Sequence, residues 1–338
     1  MVHLSRKHND RDLHRLIQQS LQEIPDFENR VEVVGRINKI HQGIWHDNYC
    51  FFIRSQNLPV GQNEQAYVLR LLQQRYKWQQ GSQSRDRLVG EAETLRALMI
   101  SDFAHPTPEL VSIVKGNDLE PIGMIETALP GVSLDRFRDR STLKRIGQVA
   151  ANVHHLDTEL FTHLSNCKTR TQHIQVQLGK IDADLFAEFP LAVQVRDWIA
   201  SYAPTDDGCC VLHGDLLPQN LLLNWQISSD AERQVSVVDW EMTQIGDPAY
   251  DLAIVSRGNR KVLGVNNGLQ VLLDDYANFG GRKISMADVR VHELLLVMHW
   301  LNESWREYQE SAPRGHGPEF YEEQLRSLFR RTTNRSVR

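Results

Sequence analysis

The sequence has no hydrophobic run long enough to span a membrane and no cysteine pattern typical of a structural metal or a disulfide framework. The apolar run LLLVMHWL (294–301) is far shorter than the roughly 20 residues that a membrane-spanning helix needs. The amino terminus is charged and has no apolar segment of signal-peptide length, so we expect a cytoplasmic protein without a membrane partner. We expect free thiols at all four cysteines, Cys50, Cys167, Cys209 and Cys210.

The sequence also lacks an excess of positive charge. The formal net charge is −5, and only the segment 326–338 is clearly basic, which is typical of a solvated terminus. Nucleic-acid-binding proteins usually carry a clustered basic surface, so we expect no nucleic-acid partner. With 41% hydrophobic and 24% charged residues, the 338-residue chain has an ordinary globular composition and enough length for two domains.

The first third of the chain is rich in strand patterns. Leucine and isoleucine at helical spacing predict an amphipathic helix over 9–24. Runs of β-branched and aromatic residues then predict an antiparallel meander of strands at 31–37, 48–55 and 65–72. A further helix over 87–99 places Glu91 beside its apolar stripe.

A Pro-Gly break at 128–131 separates this part from a mainly helical remainder. Apolar periodicity predicts helices over 141–156 and 285–310, the second with Ser285 as N-cap and Asp288 three residues on. We therefore predict an α+β protein with an N-terminal domain at 1–128 and a C-terminal domain at 129–338.

The stretch VLHGDLLPQNLLL (211–223) sets polar side chains inside an otherwise apolar segment. His213, Asp215 and Asn220 reproduce the spacing H-x-D-x-x-x-x-N, which is the catalytic-loop pattern of phosphoryl transfer. In that pattern the acid meets the substrate hydroxyl, and the amide five residues later can ligate a metal ion. The spacing therefore predicts a phosphotransfer site.

A second acid is expected downstream, because Mg²⁺ that bridges two phosphates needs hard oxygen ligands from more than one direction. Asp239 follows an apolar run in SVVDWE (236–241) and meets this expectation. The segment GDPAYDLA (246–253) adds Asp247 and Asp251. Each aspartate alone is typical of a turn or cap, whereas the ordered set favours a functional site.

Together, HGDLLPQNLL, VVDWE and GDPAYDLA resemble the signature series of the aminoglycoside phosphotransferases, choline/ethanolamine kinases and their relatives. The resemblance implies a protein-kinase-like fold with a β-rich N-lobe and a helical C-lobe, and ATP-dependent phosphorylation of a small-molecule hydroxyl. It implies that Asp215 is the catalytic base and that Asn220 and Asp239 ligate Mg²⁺. His213 and Asp251 become structural braces of the catalytic loop, and Asp247 is left without a role.

The N-terminal part resembles the nucleotide lobe of that family less closely. Gly43, in HQGIWHDNYCFFI (41–53), corresponds to the hairpin that covers the phosphates, although a full G-x-G-x-x-G is absent and an ordinary hairpin is the alternative. Arg70 stands where a kinase carries its phosphate-holding lysine, with Glu91 as its expected partner; two solvated charges are the alternative. MIETALPG (124–131) resembles the hinge, whose backbone near Glu126 and Ala128 would bind the adenine edge.

The acceptor is the least specified part of the prediction. Aromatic and acidic residues share the helix segment HWLNESWREYQE (299–310), so Trp305 and Glu303 are candidates for holding a cationic group of an amino alcohol or an aminoglycoside-like acceptor. The alternative is an aromatic core stripe with a wet acidic face. The sequence does not distinguish ATP from GTP, show whether Arg70 fully replaces the lysine, or indicate the oligomeric state.

Two other functions fit parts of the pattern. A protein kinase is disfavoured because HGD, DWE and GDPAYDLA replace H-R-D, D-F-G and A-P-E. A nucleotide-binding scaffold without transfer activity would be favoured by a missing base or metal ligand, whereas Asp215, Asn220 and Asp239 are all in place. We therefore expect an ATP- and Mg²⁺-dependent small-molecule kinase.

Overall fold

The computed structural model describes residues 10–24, 31–42, 46–55, 64–73, 81–116, 119–165, 167–204, 208–224, 234–311 and 315–333. The chain forms two compact units. Unit 1 comprises Met1–Val132 and Leu222–Met242, and unit 2 comprises Ser133–Leu221 and Thr243–Arg338. The division predicted from sequence differs, since it ended the first domain at residue 128 and assigned 222–242 to the second.

Unit 1 contains a five-stranded antiparallel sheet with the order β1-β2-β3-β5-β4. Its strands are β1 (Val31–Gln42), β2 (His46–Ser55), β3 (Gln65–Leu72), β4 (Leu110–Lys115) and β5 (Pro121–Thr127). The predicted antiparallel meander of the first three strands is confirmed, although β1 and β2 extend further toward each other than the residue pattern indicated.

The two faces of this sheet differ because side chains alternate along each strand. On one face, Leu69 and Ile125 join a core with Leu13 and Ile17 of helix α1 (Asp10–Gln22). The other face carries Arg70 and, by the same alternation, Val68 of β3 with Met124 and Glu126 of β5. Helix α2 (Gly81–Ile100) packs against β3, β4 and β5 and brings Glu91 to Arg70.

Hydrogen bonds join the second segment of unit 1, Leu222–Met242, to its first segment, Met1–Val132. Strand β9 (Val235–Val237) neighbours β8 (Leu221–Leu223) in a small sheet. The backbone N–H of Val237 donates to Pro106 O at 2.9 Å, and His105 Nδ1 lies 3.0 Å from Val235 O. These contacts fix the chain just ahead of Asp239.

Unit 2 is mainly helical. It contains α3 (Arg140–His154), α4 (Arg170–Gly179), α5 (Ala183–Glu188), α6 (Pro190–Ala200), α7 (Ala249–Ser256), α8 (Gly268–Asn278), α9 (Met286–Gln309) and α10 (Pro318–Thr333). The remaining short strands are β6 (Val132–Ser133), β7 (Cys210–Leu212) and β10 (Gln244–Gly246); β7 and β10 pair antiparallel within unit 2.

Helix α9 runs through the core of unit 2. Leu294, Leu295, Met298 and Leu301 are buried in a cluster that also contains Val195 of α6. The predicted cap is confirmed: Ser285 and Asp288 form a capping box at the start of α9. Among the described helices, none combines the length and the apolar character needed to cross a membrane. The four cysteines are free thiols, as expected.

Candidate active site

In unit 2, the loop between β7 and β8 brings His213, Asp215 and Asn220 together. The three buried residues of β7 lead into the loop, and a short 3₁₀ turn, Pro218–Asn220, ends it. Asn220 Nδ2 donates hydrogen bonds to Asp215 O at 2.8 Å and to Asp215 Oδ2 at 3.0 Å. The backbone N–H of Asp215 donates to His213 Nδ1 at 3.3 Å. The predicted spacing thus forms one local network around the carboxylate of Asp215.

Asp251 fixes the backbone of this loop from the first turn of α7. Its two carboxylate oxygens accept hydrogen bonds from the N–H groups of His213 and Gly214, each at 2.9 Å. Gly214 has a φ of 81°, a left-handed conformation that glycine adopts without a Cβ penalty. The loop geometry therefore depends on one carboxylate and one glycine.

His154 and Tyr276 support Asp251 in turn. His154 Nε2 lies 3.2 Å from Asp251 Oδ2, and His154 Nδ1 lies 2.9 Å from the Tyr276 hydroxyl. Because a carboxylate only accepts hydrogen bonds, Nε2 carries the hydrogen, and a neutral ring then accepts from Tyr276. Burial alone would raise the pKa of Asp251, but the effects of His154, His213 and the Gly214 N–H together outweigh it and lower the pKa.

The chemistry available in this loop follows from exposure and ligand type. Asp215 is partly exposed, whereas His213 is fully buried. Asp215 can therefore take a proton from a hydroxyl that reaches the loop. Both hydrogen bonds to Asp215 use the amide nitrogen of Asn220, and its amide oxygen Oδ1 is a hard ligand of the type that Mg²⁺ prefers.

In unit 1, Arg70 joins two acidic side chains that are far apart in sequence. Arg70 Nη1 donates to Glu91 Oε1 at 2.7 Å, and Nη2 donates to Asp239 Oδ1 at 2.8 Å. Arg70 and Glu91 are both buried, so the predicted pairing is an internal ion pair and not two solvated charges. Burial disfavours the charged guanidinium, but the surrounding carboxylates, led by Glu91, raise the pKa of Arg70 overall.

The sequence analysis missed two neighbours of this ion pair. Glu241 Oε2 lies 3.1 Å from His46 Nδ1 and 3.5 Å from Arg70 Nη2. Glu241 is two residues beyond Asp239 in the quoted motif, whereas His46 begins a strand with no local signal for a charged site. Asp239 itself has a φ of 69°, an uncommon conformation for a residue other than glycine.

The Arg70 face of the sheet carries buried polar atoms that fit a polar ligand. Within the described part of unit 1, buried atoms around Arg70 that lack a hydrogen-bond partner include Asn48 Oδ1, Arg70 Nε, Glu91 Oε2 and Glu126 Oε2, with His46 Nε2 and Glu241 Oε2 beside them. Buried polar atoms ordinarily have partners, so a ligand with both donors and acceptors, such as a nucleotide, suits this face. Gly43 lies outside the described residues.

The hinge prediction needs one correction. The backbone N–H of Thr127 donates to Glu109 O, and that of Ala128 donates to Ala66 O, both at 3.0 Å. These two donors are used by neighbouring segments of unit 1 because the strand pairing extends through the predicted hinge. The backbone donors at 127 and 128 are thus engaged, whereas the carboxyl of Glu126 lies buried on the Arg70 face.

Asp247 belongs to a separate buried network in unit 2. Its carboxylate accepts from Arg170 Nε at 2.9 Å, from the Ala249 N–H at 2.9 Å, and lies 2.9 Å from His292 Nε2. Arg170 also pairs with Asp288 at the start of α9. The aspartate that had no role in the sequence analysis therefore ties α4, α7 and α9 together.

Trp305 and Glu303 lie on different faces of α9. Trp305 packs against the unit 2 core and meets Phe189 edge-on at a centroid distance of 5.4 Å. Glu303 is exposed, and its charge contributes to the raised pKa of Tyr321 on α10 after the larger effect of burial. The contacts of Trp305 favour a packing role, and the two residues do not form one pocket.

No three histidine, cysteine, aspartate or glutamate side chains in the described ranges are grouped closely enough to hold a metal ion by themselves. A magnesium site here would therefore draw on amide and phosphate oxygens as well as carboxylates, which matches the usual behaviour of Mg²⁺.

Comparison with known proteins identifies a family for most of this chain. The model of the phosphotransferase enzyme family (APH) matches residues 54–286, more than half of the chain. Viomycin phosphotransferase from Streptomyces vinaceus is 29% identical over 187 residues, which cover 50% of this chain and 62% of that protein. The chain thus spans less than two thirds of the length of this relative.

Solved structures show the same fold at low sequence identity. The GDP complex of wild-type aminoglycoside 2'-phosphotransferase-IIIa is 15% identical, with 97% of this chain and 100% of that chain covered and a TM-score of 0.57. LicA in complex with AMP is 12% identical, with coverage of 96% and 98% and a TM-score of 0.59.

These findings confirm the predicted fold class and the predicted resemblance. The α+β organisation, with a sheet in unit 1 and mainly helices in unit 2, is that of the protein-kinase-like phosphotransferases. The family match includes the catalytic-loop motif, Arg70 and Asp239. The chain belongs to the phosphotransferase enzyme family.

Proposed function

We propose that this protein transfers the γ-phosphoryl group of a nucleoside triphosphate to a hydroxyl group of a small molecule, with Mg²⁺ as cofactor. The observation that carries the proposal is the catalytic loop of unit 2, where Asp251 holds the backbone at His213 and Gly214 and Asn220 holds Asp215. A carboxylate fixed in this way is suited to accept a proton from an attacking hydroxyl.

Each motif residue has a role in this proposal. Asp215 accepts the hydroxyl proton as general base, and His213 and Asp251 keep the loop in place. Asn220 and Asp239 supply oxygen ligands for Mg²⁺, which when bound neutralises negative charge on the phosphates. Arg70 donates to phosphate oxygens, and Glu91 orients the guanidinium through its 2.7 Å hydrogen bond.

The acceptor class in this proposal is a small hydroxyl compound. The similarity to viomycin phosphotransferase supports viomycin and related antibiotics as candidate acceptors, and the net charge of −5 is compatible with a cationic compound. Glu303 stays a candidate for contact with such an acceptor because its carboxylate is exposed on α9. Trp305 is left out of the acceptor site, since its contacts are those of a core residue.

An acceptor panel tests the transfer reaction. The purified protein is incubated with ATP, Mg²⁺ and either viomycin, aminoglycosides, amino alcohols or neutral sugars, and release of ADP is measured. With an acceptor that is turned over, Asp215→Asn should lower the rate by roughly 10² to 10⁴-fold, the range for loss of a general base. Nucleotide binding, measured by calorimetry, should change little.

The matched control is Asp197→Asn, which alters an exposed aspartate on α6 that pairs only with its neighbour Arg196 among the contacts described. This variant should keep the parent rate. Full activity of Asp215→Asn would remove Asp215 as the base. Tight nucleotide binding without transfer to any compound would favour the non-catalytic alternative, and activity that is unaffected by a chelator would exclude the role of Mg²⁺.

A further inference from the structure

Glu126 is a buried carboxyl group on the strand that leads into the predicted hinge. The residue is 6% exposed, and among the described residues its Oε2 atom has no hydrogen-bond partner. An unsatisfied buried carboxyl is costly unless something compensates it. Among the described residues, Oε2 of Glu126 is therefore open to a hydrogen bond from a ligand.

The register of the sheet places Glu126 on the same face as Arg70. Arg70 pairs with Met124 across β3 and β5, and Val68 pairs with Glu126, two residues further along both strands. Ile125, between Met124 and Glu126, points into the opposite core. Glu126 thus belongs both to the hinge strand and to the face that carries the proposed phosphate ligand.

Two backbone donors of the strand that leads into the predicted hinge are already engaged. The N–H groups of Thr127 and Ala128 already donate to Glu109 O and Ala66 O. Arg70 is already paired with Glu91 and Asp239, so Glu126 is not required to balance its charge. Burial raises the pKa of Glu126 to about 7, although the charge of Arg70 acts in the opposite direction.

Purine bases differ at the position that such a carboxyl would contact. Adenine carries a 6-amino group, which donates hydrogen bonds, and guanine carries O6, which accepts them. Above its pKa of about 7, Glu126 is a carboxylate, which only accepts hydrogen bonds, so it pairs with the amino group and repels O6. A hydrogen bond to a charged group is stronger than a neutral one, which makes the discrimination substantial.

We propose that Glu126 selects adenine nucleotides by accepting a hydrogen bond from the 6-amino group of the base. This inference rests on the proposed function, because it requires that a nucleotide binds along the Arg70 face of unit 1. It assigns the purine preference, which the sequence patterns left open, to a single side chain.

Calorimetric titration without any acceptor tests this inference separately from catalysis. At about pH 8, above the pKa of Glu126, ATP, GTP and purine riboside triphosphate, which lacks the 6-amino group, are each titrated with Mg²⁺ into the parent, Glu126→Gln and Glu126→Met. The control is Glu120→Gln, an exposed glutamate just ahead of β5 that pairs with Arg85. Purine riboside triphosphate also checks folding, since it should bind the parent and Glu126→Met equally.

The parent should bind ATP roughly 10- to 100-fold more tightly than purine riboside triphosphate, the range for a hydrogen bond to a charged group. Glu126→Met should bind these two nucleotides alike. Glu126→Gln, whose amide can also donate to O6, should lower the preference for ATP over GTP by about tenfold or more. Glu120→Gln should match the parent.

Equal binding of ATP and purine riboside triphosphate to the parent would overturn the inference. The same holds if both Glu126 variants keep the parent's preference for ATP over GTP. If the parent binds none of the three nucleotides, the proposed function fails, and this outcome is distinct from indifference to Glu126.

Discussion

Arg70 organises the charged side chains of unit 1. A guanidinium offers several donors in a fixed plane, so separate nitrogen atoms can serve Glu91 and Asp239 at the same time. A lysine ammonium carries three donors on one nitrogen atom and lacks the fixed planar geometry that spaces these two carboxylates. The arginine in place of the usual kinase lysine is therefore matched to its two acidic partners.

Arg70→Met should lower the free energy of unfolding by about 3–5 kcal/mol, because Glu91 would remain buried without a compensating charge. Urea unfolding measures this loss. The double variant Arg70→Met with Glu91→Gln should recover part of it, since the second change removes the uncompensated charge.

Arg85→Met provides the comparison at the surface. Arg85 pairs with Glu120 at 2.9 Å, but both side chains are more than one third exposed, and solvent screens such a pair. The change should cost less than about 1 kcal/mol. Equal stability of Arg70→Met and the parent would show that the buried pair contributes nothing.

Sequence patterns predicted the residues of the loop but not their supports. The spacing of His213, Asp215 and Asn220 selects them, whereas the role of Asp251 follows from the family resemblance of its motif. His154 and Tyr276 are separated by 122 positions and join only through tertiary packing. A histidine on an amphipathic helix has the same local signature whether it packs in the core or braces a catalytic loop.

At the scale of elements, a glycine sets how closely α3 approaches α8. A Cβ added at Gly147 of α3 would lie 2.9 Å from the backbone nitrogen of Tyr276 on α8. The neighbouring atom is backbone and cannot rotate away. Because α8 carries Tyr276, this helix contact also positions the hydroxyl that supports His154.

Gly147→Ala should lower the free energy of unfolding by about 1–3 kcal/mol, the usual cost of overpacking a close contact. Gly90→Ala in α2 is the matched change, since a Cβ there meets nothing within 4 Å. It should raise the free energy of unfolding by about 0.5–1 kcal/mol because alanine is the better helix former. Chemical unfolding compares the two; equal effects would contradict the close-approach argument.

Hydrophobic periodicity predicted where helices and strands lie better than it predicted which strands pair. The helices expected over 141–156 and 285–310 correspond to α3 and α9, and the capping residues of α9 were identified in advance. Neither hydrophobic pattern nor turn signals indicate that β7 pairs with β10, because that pairing depends on residues more than 30 positions apart. Strand pairing is set by the tertiary fold.

At the scale of the whole molecule, the chain changes from one unit to the other close in sequence to the catalytic loop and to Asp239. The catalytic loop ends at Asn220, just before the change from unit 2 to unit 1, and Asp239 lies just before the return at Thr243. The single domain boundary predicted at 128 follows the Pro-Gly break. One boundary cannot describe unit 1, because the later segment Leu222–Met242 also belongs to it. A change in composition marks the place where a chain leaves a domain, but it does not show that a later segment returns to that domain.

Acidification acts with opposite sign on two buried histidines of unit 2 and on Glu126 of unit 1. In unit 2, burial and the nearby His292 lower the pKa of His173 to about 3, and burial lowers the pKa of His299 to about 4. Below the unfolded value near 6.5, the unfolded chain binds protons at both sites and the folded protein does not, so acid lowers the stability.

Glu126 in unit 1 acts in the other direction. Its folded pKa of about 7 lies above the unfolded value of 4.5, so the folded state takes up a proton first as the pH falls. The stability that it contributes is complete below pH 4.5 and is lost as the pH rises through 7. Between pH 5 and 6.5 the two kinds of group therefore oppose each other.

Single variants separate the contributions of His173 and Glu126, because each changes the pH dependence of the free energy of unfolding and the absolute value is not needed. His173→Gln should make the free energy of unfolding less sensitive to acid by about 1.4 kcal/mol per pH unit between pH 5 and 6, since one proton is no longer taken up on unfolding. Glu126→Gln should make it more sensitive by a similar amount, because the opposing group is removed. Urea unfolding at a series of pH values measures each slope, and shifts of the same sign in His173→Gln and Glu126→Gln would refute this assignment of buried protons.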